Sequence, residues 1–297
     1  MSARKSDQKY RTLKLSPKEI IDLLDKGIKA NYADRFRRGN LICLPASGDL
    51  VITGDIHGHR RNFERILTFA ELDSNPDRHI IFQEIIHGGP EDEQGGCLSF
   101  ELLFELVRHK LDFPDRVHIV MGNHDTAFID QSEVMKNGKE MNISIRSALG
   151  RRFGSDSQRV DLAIRRFLFS QPLALRCENR LWVSHSLPSN RYVRKFDDSI
   201  FRRELKINDV VKPGSAYLLT WGRKHSQKTL TEIAKRLDVD LFILGHQPQE
   251  QGWLKAGENL LIIASDHNHG VLLPIDLTES YSLNRLADLV VPLASIV

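Results

Sequence analysis

Five short polar motifs in this 297-residue chain hold residue types that bind divalent cations, and four of them directly follow an apolar run. They are Gly54-Asp55-Ile56-His57-Gly58, Glu84, Gly122-Asn123-His124-Asp125, His185 and Gly245-His246. Asp, Glu, Asn and His supply the oxygen and imidazole donors that hard and borderline cations prefer. Asp55 and His57 are alternate residues after Leu50-Val51-Ile52, so a tight turn bounded by Gly54 and Gly58 can aim both at one ion. Any one of these histidines alone reads as a hydrogen-bonded, partly buried imidazole. The ordered set reads as sequence-distant loops meeting at metal. The chemistry this implies is phosphoester hydrolysis at two metal ions.

Those motifs need strands to deliver them. Apolar runs at Leu41–Leu44 and Leu50–Ile52 flank a turn at Ser47-Gly48-Asp49, and further strands are expected at 79–82, 117–120, 173–177, 181–183, 241–244, 260–264 and 271–275. Ser16-Pro17-Lys18-Glu19 is a capping box that opens an amphipathic helix through Ile28. Helices are also expected at 62–72, 99–109 and 230–237, with a mostly helical stretch at 131–170 broken by a loop at Asn137-Gly138. Residues 88–96 read as a glycine-rich acidic loop, and residues 1–15 as a polar, loosely packed start. Strands alternating with helices and then a late run of strands predict an α/β fold of two packed mixed sheets flanked by helices. The expected organisation is a basic segment with one helix (1–39), a main domain (40–275) and a tail (276–297) to which the pattern assigns no role.

Composition narrows the function classes. No apolar stretch reaches the roughly 20 residues a membrane span requires. Cys43, Cys97 and Cys177 are odd in number and form no C-x-x-C pair, so a reducing cytoplasm is expected, without a disulfide framework. Residues 1–40 hold 11 basic against 5 acidic side chains, but no interleaved aromatics offer stacking platforms. The basic start reads as a solvated face, not a nucleic-acid arm.

With these motifs in view, the chain resembles the phosphoprotein phosphatases within the calcineurin-like metallophosphoesterases, over roughly residues 40–275. The likeness lies in Gly54–Gly58, Gly122–Asp125, the stretch from Phe167 to Pro188 through His185, and Leu244-Gly245-His246-Gln247. It implies an α/β/β/α sandwich with a dinuclear centre at its edge. By that resemblance Asp55 and His57 hold one metal, and Asn123, His185 and His246 the other, with a carboxylate bridging. His124 is then the general acid, Asp125 accompanies it as a catalytic candidate, and mixed N and O donors suit Mn²⁺, Fe or Zn²⁺.

The second motif departs from the family pattern G-D-x-x-D-R-G, reading Gln83-Glu84-Ile85-Ile86-His87-Gly88-Gly89. Glu84 stands for the bridging aspartate; the alternative is one metal without it. His87 stands for the carboxylate that orients the general acid, which weakens His124, and Gly88 stands for an arginine on the substrate phosphate. Arg223 is the first replacement candidate, with Arg60 and Arg61 behind it, solvated surface being the alternative for each. His87 and His267 are further candidates to line the pocket. The expected activity is a metal-dependent phosphomonoesterase on a phosphoprotein, plausibly at serine or threonine. The alternatives are a diadenosine-tetraphosphate-type hydrolase acting on a nucleotide and a non-catalytic phosphate binder.

Overall fold

The computed structural model describes residues 15–136 and 138–297. The reading of residues 1–14 as loosely packed, and of Asn137 as part of a loop, lies outside the described residues. Ser16 caps the helix Pro17–Ala33: its N–H donates to Glu19 Oε2 at 2.8 Å and its hydroxyl accepts from Glu19 N. Ile20, Leu24, Gly27 and Asn31 form one buried stripe at helical spacing, laid against helices Ser99–Asp112 and Ser157–Phe169.

Strands β1 (Arg37–Arg38), β2 (Leu41–Leu44) and β3 (Asp49–Asp55) come next, then helix Arg60–Ala70, β4 (Arg78–Gln83), helix Ser99–Asp112 and β5 (Val117–Val120). β3, β4 and β5 are parallel neighbours, as helical crossovers dictate. Helix Asn123–Asp130 leads to a hairpin, β6 (Met135–Lys136) and β7 (Lys139–Glu140), and to helices Met141–Phe153 and Ser157–Phe169. After β8 (Ala174–Cys177) and β9 (Leu181–Ser184), helices Ser215–Trp221 and Gln227–Leu237 precede β10 (Leu241–Leu244). The remainder is β11 (Trp253–Ala256), β12 (Leu260–Ile263), β13 (Val271–Asp276), helix Leu283–Asp288 and β14 (Val291–Pro292). β11 has no counterpart in the apolar pattern because it is an edge strand with both middle side chains exposed.

Two mixed sheets result, ordered β1-β2-β8-β9-β10-β12-β11 and β14-β13-β3-β4-β5. Strand alternation explains how they pack. Leu50, Ile52, Ile81 and Val120 meet Ile42, Leu175, Val183 and Ile243 in the layer between the sheets. Val51, Ile80, Phe82 and Ile119 point the other way, onto Phe63, Phe100 and Phe104 of the helices. Burial on both faces is why these strands read as continuous apolar runs. The fold is therefore the expected α/β/β/α sandwich.

The sheets touch at one edge. Asp55, the last residue of β3, bridges to Ala264 beyond β12, and Ser265 locks the junction by accepting from Gly54 N at 2.9 Å. β3, β4, β5, β9 and β10 all present their carboxyl ends here. Residues 276–297 are not a loose appendage: β14 pairs with β13, and Leu286 and Leu293 are fully buried. Among the described residues, no helix is long and apolar enough to cross a membrane.

Candidate active site

Backbone strain marks the spot. Eight described non-glycine residues adopt positive φ. Glu71, Gln131 and Asp238 end helices, and Arg180 turns the chain between β8 and β9. The other four are His57, Glu84, His87 and His246, all at the edge where the sheets meet. Such conformations cost about 1–3 kcal/mol each and persist where the surroundings over-determine them.

The side chains converge. Asn123 Oδ1 lies 2.8 Å from His185 Nε2 and 2.9 Å from His246 Nδ1, and those two nitrogens are 3.2 Å apart. Glu84 Oε2 stands 3.2 Å from His185 Nε2. Asp55 Oδ1 is 3.4 Å from His185 Nδ1 and accepts from His246 N at 2.9 Å, while Asp55 Oδ2 is 3.7 Å from His57 Nε2. His57 Nδ1 donates to the Ile86 carbonyl at 3.1 Å, which turns Nε2 toward Asp55. Glycines make room for the two carboxylates: a Cβ at Gly122 would sit 2.4 Å from Glu84 Oε2, and one at Gly245 2.3 Å from Asp55 Oδ1.

These residues fit a divalent metal. Two donors of one ion, each about 2.1 Å from it, stand roughly 3.0–3.4 Å apart at octahedral to tetrahedral angles; the spacings here bracket that range, from 2.8 Å between Asn123 and His185 to 3.7 Å between Asp55 and His57. Among the described residues, no three His, Cys, Asp or Glu side chains make a cage by themselves; the Asn123 amide sits at the centre of this one. Glu84 Oε1 and His246 Nε2 are buried without a hydrogen-bond partner. The acids also repel one another. Burial, then Asp125 and Asp55, push Glu84 well above the usual carboxylate range. Burial raises Asp125 to about 7 against the pull of the Gly122 N–H, and Asp55 adds to the rise. Asp55 escapes that fate: burial would raise it, but His185 and His57 beside it hold it low. A buried cluster of mutually repelling acids needs a counter-cation.

His124 opens the helix Asn123–Asp130, with its backbone N–H 3.2 Å from Glu84 Oε2. Its Nδ1 faces His87 Nδ1 at 3.1 Å. One of those nitrogens must bear the proton they share. Burial and the neighbouring His57 push His87 down to about 3, so it stays neutral. Burial, His57 and His87 likewise press His124 well below the ordinary imidazole value.

Four expectations change in the structure. His87 is fully buried behind His124 and cannot line a substrate pocket. Arg60 is turned away into a bidentate pair with Glu105, at 2.8 and 2.9 Å, because that buried carboxylate demands a partner. Asp125 is a helix cap, its Oδ2 accepting from Gly122 N at 2.8 Å; it fixes the Asn123-His124 turn without facing the cluster's opening. His267 gives its carbonyl to Asn62 and its Nδ1 accepts from His269 N, so it braces its own loop. Arg223 lies where its charge is felt at His246.

Lys136 is the functional candidate the motifs did not announce. It sits on the β6–β7 hairpin, 3.9 Å from Asp266, two residues past the Asp55–Ala264 bridge. Its cross-strand partner Lys139 pairs with Glu91 at 2.7 Å, pinning the hairpin to the loop that begins at Gly88. Burial first, and then the Lys136 charge among the neighbours, depress both His57 and His124, while Asp266 pulls His57 back up. No arginine fits at 88, where a Cβ would lie 2.5 Å from the His57 carbonyl. A single lysine in a hairpin leaves no sequence signal.

Residues 49–250 match the calcineurin-like phosphoesterase family, well over half of the chain. The chain belongs to that family. The chain is 23% identical, over 73% of its length, to a serine/threonine-protein phosphatase of Caenorhabditis elegans, and it spans about half (47%) of the length of that relative. Among solved structures it is similar to a protein serine/threonine phosphatase from Saccharomyces cerevisiae, at TM-score 0.69 and 15% identity over 94% of both chains. It is also similar to a cold-active protein-tyrosine phosphatase of a psychrophilic Shewanella, at TM-score 0.56 and 17% identity over 80% of this chain and 77% of that one. The sandwich fold and the resemblance drawn from the motifs agree with these likenesses.

Proposed function

We propose that this phosphoesterase is a metal-dependent protein phosphatase that hydrolyses phosphoserine or phosphothreonine esters with water. The observation that carries the reading is the meeting of Asn123, His185, His246 and Glu84 donor atoms within 3.2 Å of their neighbours, beside Asp55 and His57. In it, Asn123, His185 and His246 would hold one divalent ion and Asp55 and His57 a second, with Glu84 the remaining carboxylate donor; Mn²⁺, Fe and Zn²⁺ all suit the donors. When bound, such ions supply Lewis-acid neutralisation of phosphoryl oxygens and activation of the attacking water.

The chain's own residues do the rest. In its imidazolium form His124 gives the Nε2 proton to the leaving alcohol oxygen and returns to the neutral imidazole that its burial favours, its ring kept in place by His87. Lys136 on one side and Arg223 on the other face the phosphoryl charge, taking over from the arginine absent at 88. Products are inorganic phosphate and the free hydroxyl. The likeness of this chain to two serine/threonine phosphatases, one in sequence and one in fold, supports the substrate class.

Metal analysis of the purified protein, with turnover of an aryl phosphate, a phosphoserine peptide and diadenosine tetraphosphate, tests the reading. Bound metal with metal-dependent peptide turnover upholds it. Turnover of the dinucleotide alone transfers the assignment to a nucleotide hydrolase. Neither metal nor turnover makes the protein a phosphate binder.

A further inference from the structure

Two cavities on the surface differ in whether their cationic side chains have acidic partners. One cavity of about 590 Å³ is lined by Arg146, Arg159 and Arg165, but Asp161 pairs with the first and third and Asp156 with the second. A second cavity, of about 420 Å³, is different: its wall holds Arg191, Lys212, Arg223 and Lys224 and no carboxylate. None of the four forms an ion pair among the described residues. Arg191 instead lies over the Tyr192 ring, 4.5 Å from its centroid, and Tyr217 stacks on Trp221 at 5.4 Å.

Hydrogen bonds tie the wall of this cavity to the segments that carry Asn123 and His185. Trp221 Nε1 donates to Thr126 Oγ1 at 3.0 Å, three residues beyond Asn123. Ser186, next to His185, donates to the Gly222 carbonyl, and His225 Nε2 donates to the Leu187 carbonyl at 2.9 Å. Arg223 lines the cavity, and its charge is also felt at His246 in the cluster.

We infer that this cavity is a substrate subsite that takes an acidic side chain flanking the phosphorylated residue. The inference rests on the phosphatase reading above. Like charges sharing one wall repel one another, and an incoming carboxylate relieves that repulsion. The aromatic faces supply apolar area for the methylenes and backbone of a peptide. An extended chain advances about 3.3–3.6 Å per residue, so side chains at successive positions sample increasing distances from a phosphate held at the cluster.

The test uses the metal-loaded full chain and four substrates. They are an aryl phosphate, a phosphoserine peptide with neutral flanks, the same peptide with glutamates at three positions on each side, and diadenosine tetraphosphate. In low salt the wild type is expected to favour the acidic over the neutral peptide in kcat/KM by about three- to tenfold, the scale of two exposed charge pairs. The double variant Arg191→Gln/Lys212→Gln should lose that preference and keep its aryl phosphate turnover. Equal values for the two peptides, or a preference that survives the double substitution, overturn the subsite. Preference for diadenosine tetraphosphate over both peptides, removed by the substitutions, overturns the peptide assignment. Absence of both aryl phosphate and peptide turnover overturns the phosphatase reading and the subsite with it.

Discussion

Gly122→Ala tests whether the Glu84 carboxylate is part of the active site. Gly122 has φ −103° and ψ 178°, a conformation open to alanine, so the backbone does not resist the change. The new methyl would lie 2.4 Å from Glu84 Oε2 and 2.7 Å from its Cδ, where contacts under 3.0 Å do not persist. The carboxylate must therefore move by at least 0.6 Å. Glu84 is fully buried, so it has no solvent-filled space to enter. Misplacement on the 1 Å scale costs about 10²-fold in rate, which sets the expected loss between roughly 10- and 100-fold. Overpacking costs about 1–3 kcal/mol, partly offset by about 0.4–1 kcal/mol from a stiffer unfolded chain. Melting should therefore fall by only a few degrees. Turnover of an aryl phosphate, metal content and Tm are measured on the same preparation. Gly150→Ala is the control: nothing lies within 4 Å of its Cβ and it sits inside helix Met141–Phe153, so it should gain about 1 kcal/mol and change no activity. Wild-type turnover and metal content in Gly122→Ala would falsify the placement of Glu84 at the reacting centre.

Lys136→Met should raise KM and the inhibition constant for inorganic phosphate by about fivefold while metal content stays constant; an unchanged phosphate constant removes Lys136 from the site. His87→Asp restores an acceptor against His124 Nδ1 and should raise turnover of alkyl phosphates about tenfold relative to aryl phosphates, at some loss of Tm for a buried carboxylate. An unaltered ratio would show that the His87–His124 contact does not govern proton transfer. Far from the site, burial depresses His79 to about 3 where its Nδ1 meets His118 Nε2 at 3.1 Å. Because the folded value lies below the unfolded value of about 6.5, its contribution is complete above that pH and is lost as pH falls toward 3. Tm should decline from pH 7 to pH 5, and His79→Phe should flatten that slope; a parallel decline in the variant would exclude His79 as the cause.

Local chemistry made much of this protein readable from its residues alone. β5 and β10 fall on the expected residues because a fully buried strand is a short apolar run, and a polar residue at its carboxyl end then stands out. Asp55, Asn123, His185 and His246 were visible for that reason. The capping box at Ser16 was equally plain, since its partners are three residues apart. Side-chain partnerships across the chain were not visible. Arg60 was lost to Glu105, 45 residues away, and Lys136 became a candidate only when its hairpin folded toward Asp266. The unpaired cations beside Tyr217 and Trp221 could not be told from paired arginines elsewhere, because a charge's worth depends on which neighbour arrives. Alternation and turn preference act within a few residues, so the chain specifies them directly. Which distant groups end up 3 Å apart is set by how the two sheets pack, and that the tertiary structure alone decided.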